Sequence, residues 1–451
     1  MNNNFELAKE FFYKGEENYS KKNFSYAEQN FLISLNFLPN KISTLINLGL
    51  TKLKLRKIDE AEEIICKINS LLKVSSKEEG NIENFLNFKS LFYGESNNFD
   101  KSIQTLEQLI IIKNISKNKL SEYLSYMGIA HSKIGNYFKN IDLQQKSLKL
   151  NPNNIQAKFN LGLQYLKLEN FKDGWSFYEN RLVKNSLDTK LYPKNIKDIK
   201  NKKVLIKPEQ GFGDIIQFSR FIPLLENYTD DIDFLIPKQF GNLFKFSKIK
   251  TIFEKKKNYD YEIYLCSLPF LLNVFYSDLK NISYSNFKFK NKILKNKNDI
   301  NKKLNIGLAW SGRENFPYDY LRSLKLSDLN TILNIPDVNF YCLQKEIRDC
   351  DKEKFTSSKL IYLGNLNFYD LAKKIINFDL IVSSDTVILH LAASLNIKTW
   401  AMLPFASDWR WPISAFETNW YNNLRIFRLK ENQNWVDLTK NISKKINLLK
   451  I

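Results

Sequence analysis

Val204-Leu205-Ile206-Lys207-Pro208-Glu209-Gln210-Gly211-Phe212-Gly213-Asp214-Ile215-Ile216 is the stretch at which the chain changes its period. Val204 to Lys207 is a short apolar strand. Gly211-Phe212-Gly213-Asp214 is a turn, and Ile215 to Glu226 follows with helical spacing. Two glycines let the backbone turn tightly and approach a ligand. A third glycine at the spacing of a dinucleotide fingerprint is missing, because Gln217 and Phe218 stand there. A nicotinamide-dependent enzyme is therefore disfavoured.

Downstream, the strand-and-helix alternation continues. Asp231 to Ile236 and Tyr261 to Leu265 read as strands, and a Lys/Asn-rich stretch, 280–303, ends this unit. A second unit has strands at Leu304 to Trp310, Val338 to Leu343, Leu360 to Leu363, Asp379 to Ser383 and Lys398 to Leu403. Helical patterns lie between them at 326–333, 367–378 and 386–395. Such alternation predicts parallel sheets covered on both faces. Two units in series predict a cleft between the carboxyl ends of two sheets, where ligands bind in this class.

Upstream the signal is a repeat. Gly15 and Gly49 are 34 residues apart, as are Ala27 and Ala61, Gly128 and Gly162, and Tyr137 and Phe171. Pro39 and Pro152 each close a unit. A small residue where two helix backbones approach, bulky residues on facing stripes and a terminating proline make the tetratricopeptide pattern. A looser unit carries Ser90, Tyr93, Ser102 and Leu106, after an insertion near 75–81, and gives about five units over 5–183. The expected organisation is α + α/β. It comprises a helical repeat solenoid (1–183), a linker (184–202), a first Rossmann-like half (203–290), and a second Rossmann-like half with a final helix (304–451).

The net charge of +20 invites a nucleic-acid reading, but its distribution argues against one. The aperiodic, Lys/Asn-rich stretches 184–203 and 280–303 supply most of the excess, and only 9 of 68 basic residues are arginine. No nucleic-acid partner is expected. Four cysteines without C-x-x-C spacing and two histidines exclude a disulfide framework and a multi-histidine metal centre. Met1 to Phe5 lacks a signal-peptide pattern and no run is long and apolar enough to span a membrane, so a cytoplasmic protein is expected.

Several residues are placed to do chemistry. Asp214 sits where a helix starts, as a simple N-cap or as a catalytic carboxylate at the cleft mouth. Ser384-Asp385-Thr386 ends a buried strand and opens a helix whose free N–H groups suit a phosphate, and His390 lies one turn further on the same face. His131 falls inside a repeat and reads as scaffold. Trp310-Ser311-Gly312 is another strand-to-turn passage. Arg322, Gln344 and Lys345 follow on the same rim, where they would bind phosphate. Trp409-Arg410-Trp411 would stack a base or sugar, or close the core. Asp231/Asp233 and Asp349/Asp351 form D-x-D triplets, but no metal site is expected.

In order along the chain, Lys207-x-Glu209-Gln210-Gly211-Phe212-Gly213-Asp214, Gly307-Leu308-Ala309-Trp310-Ser311-Gly312, Arg322-Ser323, Leu343-Gln344-Lys345, Ser384-Asp385-Thr386-x-x-x-His390 and Leu403-Pro404-x-x-x-Asp408-Trp409-Arg410-Trp411 resemble bacterial tetratricopeptide-repeat proteins with a C-terminal heptosyltransferase-like (family 9) domain. The plan is also similar to that of O-GlcNAc transferases. The resemblance implies a GT-B fold, a nucleotide-diphosphate sugar as co-substrate without a further cofactor, and inverting, metal-independent transfer. It implies Asp214 as catalytic base and Asp385, Thr386 and His390 as donor-phosphate contacts. The repeats would bind an acceptor glycan or protein, or a protein partner. Between Thr386 and His390 the chain carries Val387-Ile388-Leu389, bulkier than the family's usual residues. The loop from Asn315 to Arg322 lacks a histidine common after the asparagine. A reading from another class is a non-catalytic repeat scaffold with a degenerate transferase domain.

Overall fold

The computed structural model describes residues 2–74, 79–255, 258–284, 286–289, 303–314, 316 and 319–449. It falls into two compact units, Met1–Leu161 and Gly162–Ile451. The division lies inside a helix, ahead of residue 183, so the last helical hairpin groups with the α/β part.

The first unit is an array of helical hairpins. Its helices are α1 (Asn2–Ser20), α2 (Phe24–Phe37), α3 (Ile42–Lys54), α4 (Ile58–Val74), α5 (Glu79–Glu95), α6 (Phe99–Ile110), α7 (Lys117–Lys133), α8 (Tyr137–Leu150) and the start of α9 (Ile155–Lys167). The residues expected at helix crossings are there. Ala27 and Ala61 are fully buried. A Cβ on Gly15 would sit 2.5 Å from the Phe31 ring, and one on Gly49 would run into the Phe88 ring. Part of the insertion expected near 75–81 lies outside the described residues.

Each hairpin turn repeats one backbone motif. Lys22, Arg56, Asn97, Gly135 and Glu169 have left-handed φ of 62°, 61°, 63°, 84° and 63°. Each donates its N–H to the carbonyl three residues back. The next residue (Asn23, Lys57, Asn98, Asn136 or Asn170) donates to the carbonyl five residues back. These paired bonds satisfy carbonyls that a helix end leaves open. Only one of the five left-handed positions is glycine, so a search for turn glycines misses four of them.

The second unit continues with α10 (Phe171–Tyr178) and α11 (Asn180–Lys184). The expected linker is not featureless: Asn195 and Asp198 cap a short 3-10 turn that buries Ile196 and Ile199. The first sheet holds β1 (Val204–Lys207), β2 (Ile232–Leu235), β3 (Lys250–Ile252) and β4 (Tyr261–Tyr264), all parallel, in the order β3-β2-β1-β4. Between β1 and β2, α12 (Phe212–Phe218) gives way to a 3-10 segment, Ser219–Asn227. Pro223 lacks the N–H that a continued α-helix needs, which shortens the helix expected to run to Glu226. Short α13 (Leu268–Leu271) follows β4.

The second sheet holds β5 (Leu304–Ala309), β6 (Val338–Cys342), β7 (Ile361–Tyr362), β8 (Leu380–Ser384), β9 (Thr399–Leu403) and β10 (Leu424–Arg428). All are parallel, in the order β10-β9-β8-β5-β6-β7. Its helices are α14 (Asp319–Arg322), α15 (Asn330–Leu333), α16 (Asp349–Thr356), α17 (Phe368–Ile375), α18 (Val387–Ser394) and α19 (Trp435–Asn447). Ile306, Leu308, Val382 and Met402 pack with Leu329 and Ile442 into one core. The strand order reverses between β5 and β8. The turns after these two strands therefore flank the crevice where this class binds ligands. Most of the expected linker 280–303, residues 290–302, lies outside the described residues.

Candidate active site at the carboxyl ends of two sheets

The turn after β1 supplies the carboxylate. Asp214 is the third residue of α12, and its Oδ2 accepts the Gly211 N–H at 2.8 Å. The capping role is thus real. It leaves Oδ1, which is ion-paired with the Arg410 guanidinium. Burial pushes the Asp214 carboxyl above the ordinary aspartate value, although Arg410 and the Gly211 N–H both pull it down. Neighbouring Glu209 serves elsewhere. It takes two bonds from buried Arg181, at 3.0 and 2.6 Å, and the Cys266 N–H at 3.1 Å.

The turn after β8 meets the first turn directly. The His390 ring lies over Gly213, where a Cβ would come within 2.8 Å of Cδ2. Glycine at 213 therefore makes room for a histidine 177 positions later. The imidazole stacks on Trp411, with ring centroids 5.8 Å apart at 19°. Its Nδ1 is 2.8 Å from the Tyr421 hydroxyl, and its Nε2 is 3.7 Å from Asp385 Oδ1. Burial, with Arg410 nearby, pulls the imidazole down to about 3. His390 is thus neutral near pH 7, and positive charge at the site comes from arginines instead.

Asp385 is tied down on both sides. Its Oδ2 accepts the Trp411 Nε1–H at 2.8 Å, and its carbonyl accepts from Arg322 Nη1 at 2.8 Å. Burial raises its carboxyl, with Asp408 adding to the rise. Thr386 opens α18 in extended backbone, with no side-chain cap. Its hydroxyl lies 3.2 Å from that of Ser383. Buried Ser384 Oγ has no partner among the described residues.

The turn after β5 divides the expected phosphate set. Gln344 is structural. Its Oε1 accepts the Trp310 and Ser311 N–H groups at 2.6 and 2.8 Å, and its Nε2 donates to Ser311 Oγ and the Glu346 carbonyl. All four of its hydrogen-bonding positions are used, which removes it from ligand binding. Gly312 donates to Ser323 Oγ and accepts from Arg348. Arg322 bonds Asp319 at 3.0 Å and lies 4.2 Å from the Phe316 ring centre. Lys345 is exposed on the rim. Asn315, Pro317 and Tyr318 of the intervening loop lie outside the described residues.

The loop after β9 decides between the two readings of its tryptophans and brings an arginine to Asp214. Trp411 is fully buried and Trp409 is 8% exposed, packed edge-on to Trp175 and beside Tyr178. Neither indole presents a face for stacking a base or sugar; their large apolar area goes into the core. Arg410 between them carries the polar contacts of this loop. It donates to Gln217 at 2.6 Å and Asp408 at 2.8 Å, and it pairs with Asp214.

Lys167 at the end of α9 holds this loop, and the sequence reading missed it. Its Nζ is 3.0 Å from Ser407 Oγ and 3.1, 3.0 and 2.8 Å from the carbonyls of Ser407, Asp408 and Trp411. Lys133 stands 34 residues earlier, so within the repeat Lys167 looks like an ordinary helix-end lysine. The D-x-D triplets are also accounted for. Asp233 accepts from Tyr259, and Asp351 accepts from Trp310 Nε1 and the Leu326 N–H. Among the described residues, no group of three or more His, Cys, Asp or Glu is arranged to hold a metal. No helix there is long and apolar enough to cross a membrane.

No protein-family model and no curated protein matches the chain. Solved structures do. The MamA protein is 19% identical, with 42% of this chain and 99% of that chain covered and a TM-score of 0.30. The pilF protein of Pseudomonas aeruginosa is 16% identical, with 40% and 76% covered and a TM-score of 0.33. A tetratricopeptide repeat protein from Parabacteroides merdae is 18% identical, with 41% and 68% covered and a TM-score of 0.30.

Proposed function

We propose that the chain is an inverting glycosyltransferase, which moves a sugar from a nucleotide-diphosphate donor to an acceptor hydroxyl without a metal. One observation carries this reading. The turns at the carboxyl ends of two parallel sheets converge, so that Gly213 touches His390 and Asp214 pairs with Arg410. Asp214 is the general base. Its raised pKa suits a carboxylate that must take a proton from an alcohol as the new bond forms. The acceptor oxygen attacks the anomeric carbon, the bond to the diphosphate breaks, and the diphosphate leaves with the electron pair.

Arg410, Arg322 and the uncapped start of α18 offset the charge on that leaving group, and Lys345 adds to the field from the rim. The helical array is assigned to acceptor or protein-partner binding. The test is calorimetry of UDP-, GDP-, ADP- and CMP-sugars in the presence of EDTA, on the wild type and Arg322→Gln. Saturable binding of one donor, weakened about tenfold or more in the variant, supports the proposal. Absence of binding by every donor refutes it and leaves the non-catalytic scaffold.

A further inference from the structure

Arg322 is set against the diphosphate in the proposed function, yet a carboxylate with the wrong sign for that task sits directly on it. Asp319 opens α14 and is buried. Its Oδ1 accepts from Arg322 Nε at 3.0 Å. Its Oδ2 accepts from Ser323 Oγ at 2.7 Å and from Arg348 Nη2. Ser323 Oγ in turn accepts the Gly312 N–H at 2.9 Å, and Arg348 Nη2 also donates to the Gly312 carbonyl at 2.8 Å. One buried carboxylate thus joins the turn after β5 to two arginines.

Those bonds leave the Arg322 guanidinium little freedom. Besides Nε, it is held through Nη1, which donates to the Asp385 carbonyl at 2.8 Å, just past the end of β8. The fork therefore spans the two strands between which the sheet order reverses. Its Nη2 makes no hydrogen bond among the described residues. A Cβ on Gly312 would stand 2.8 Å from that nitrogen and 2.5 Å from Asp319 Oδ1. Glycine at 312 leaves the room in which carboxylate and guanidinium meet. The Arg322 side chain is 24% exposed and that of Asp319 only 4%, so solvent reaches the cation and not its partner.

We propose that Asp319 is a positioning residue, which aims Arg322 across the space left by Gly312 so that Nη2 is presented to the phosphates of a bound nucleotide. Asp319 itself touches no ligand. Charge and geometry pull in opposite directions here. By Coulomb attraction alone, a carboxylate beside an anion site weakens binding, and its removal should tighten the anion. A fork released from its carboxylate, however, loses the fixed orientation on which its bonds to phosphate depend. In this site geometry outweighs charge. The identity of the ligand rests on the transferase reading.

Calorimetry on the full-length chain separates the two effects, with UDP, GDP and ADP as probes and inorganic pyrophosphate as the probe without a nucleoside. Asp319→Asn should weaken the nucleoside diphosphate that binds by about tenfold. Unchanged or tighter binding overturns the proposal and leaves the transferase reading intact. In an Arg322→Gln background the same substitution should bring no further loss, because the group it aims is gone. A second loss of about tenfold in that background makes Asp319 a support of the turn as a whole and overturns the proposal. Gly312→Ala, which alters no charge, repeats both comparisons if Asp319→Asn does not fold. It should weaken binding when Arg322 is present and not when it is absent, and equal losses in the two backgrounds overturn the proposal. If no nucleoside diphosphate binds the wild type, the transferase reading falls and pyrophosphate carries the test. Weaker pyrophosphate binding in Asp319→Asn then upholds the positioning role, and binding that is unchanged, or absent from the wild type, overturns it.

Discussion

Two buried lysines, one in each unit, do opposite things. Lys52, on α3 of the helical array, lies between the carboxylates of Glu28 and Glu60. Burial opposes its charge, but the two carboxylates outweigh that and raise its pKa. Lys167, on α9, faces three carbonyls and a hydroxyl. There burial wins, helped by Arg428, and the ammonium is pulled down to about 7. The first lysine ties neighbouring helices together with charge that water partly screens. The second ties down the loop carrying Arg410 through its bonds to residues 407–411. In the array the cation sits among carboxylates; in the α/β unit it holds the site loop through carbonyls, beside Arg428, which bonds Ser407 and Pro412 of the same loop.

That contrast can be broken by substitution. The largest stability effect is expected at Arg181→Met, which strands Glu209 without its fully buried partner. Chemical denaturation should show a loss of about 3–5 kcal/mol. A loss below about 1 kcal/mol would mean that the buried pair is not a fixing point. Lys167→Met comes next, at about 2–3 kcal/mol, because carbonyls buried around it lose their donor. Lys52→Met should cost about 1 kcal/mol or less, since Glu28 keeps Lys57 at 2.7 Å and Glu60 is exposed.

The pH dependence sharpens the same comparison. Between pH 7 and 10 the unfolded chain holds a proton on Lys167 that the folded chain has released. Wild-type stability therefore rises with pH, and its margin over Lys167→Met widens. Lys52 has a raised pKa, so its contribution is fully present across that window and is lost only above the ordinary lysine range. Its margin over Lys52→Met should stay flat. Parallel curves for the two variants would erase the distinction.

How much of this was legible follows from where each signal sits in the chain. The repeat was readable because each hairpin carries its own small residue and its own turn. The strands β1, β5, β6, β8 and β9 were readable as apolar runs bounded by turns. β3 has only three residues, and β10 reads Leu424-Arg425-Ile426-Phe427-Arg428, which breaks the apolar run; neither carries a strand pattern of its own.

Site residues set by local geometry were readable in the same way, because Asp214 and Thr386 stand at helix starts. What stayed hidden depends on partners far along the chain. Nothing near Gly213 says that it must admit His390, and nothing near Lys167 says that it reaches residues 407–411. Trp409 and Trp411 offered equal arguments for stacking a ligand and for closing the core. Only burial, together with the bond from Trp411 to Asp385, decides between them.

In the proposed mechanism Asp214 takes the proton while the arginines hold the diphosphate. Once the donor that binds is known, the most direct measurement is turnover of that donor by wild type and by Asp214→Asn, alongside its affinity for each. Rates should fall by about a hundredfold or more, with affinity unchanged within about threefold. Equal turnover in the two proteins would contradict the assignment of the base and return Asp214 to the role of a helix cap.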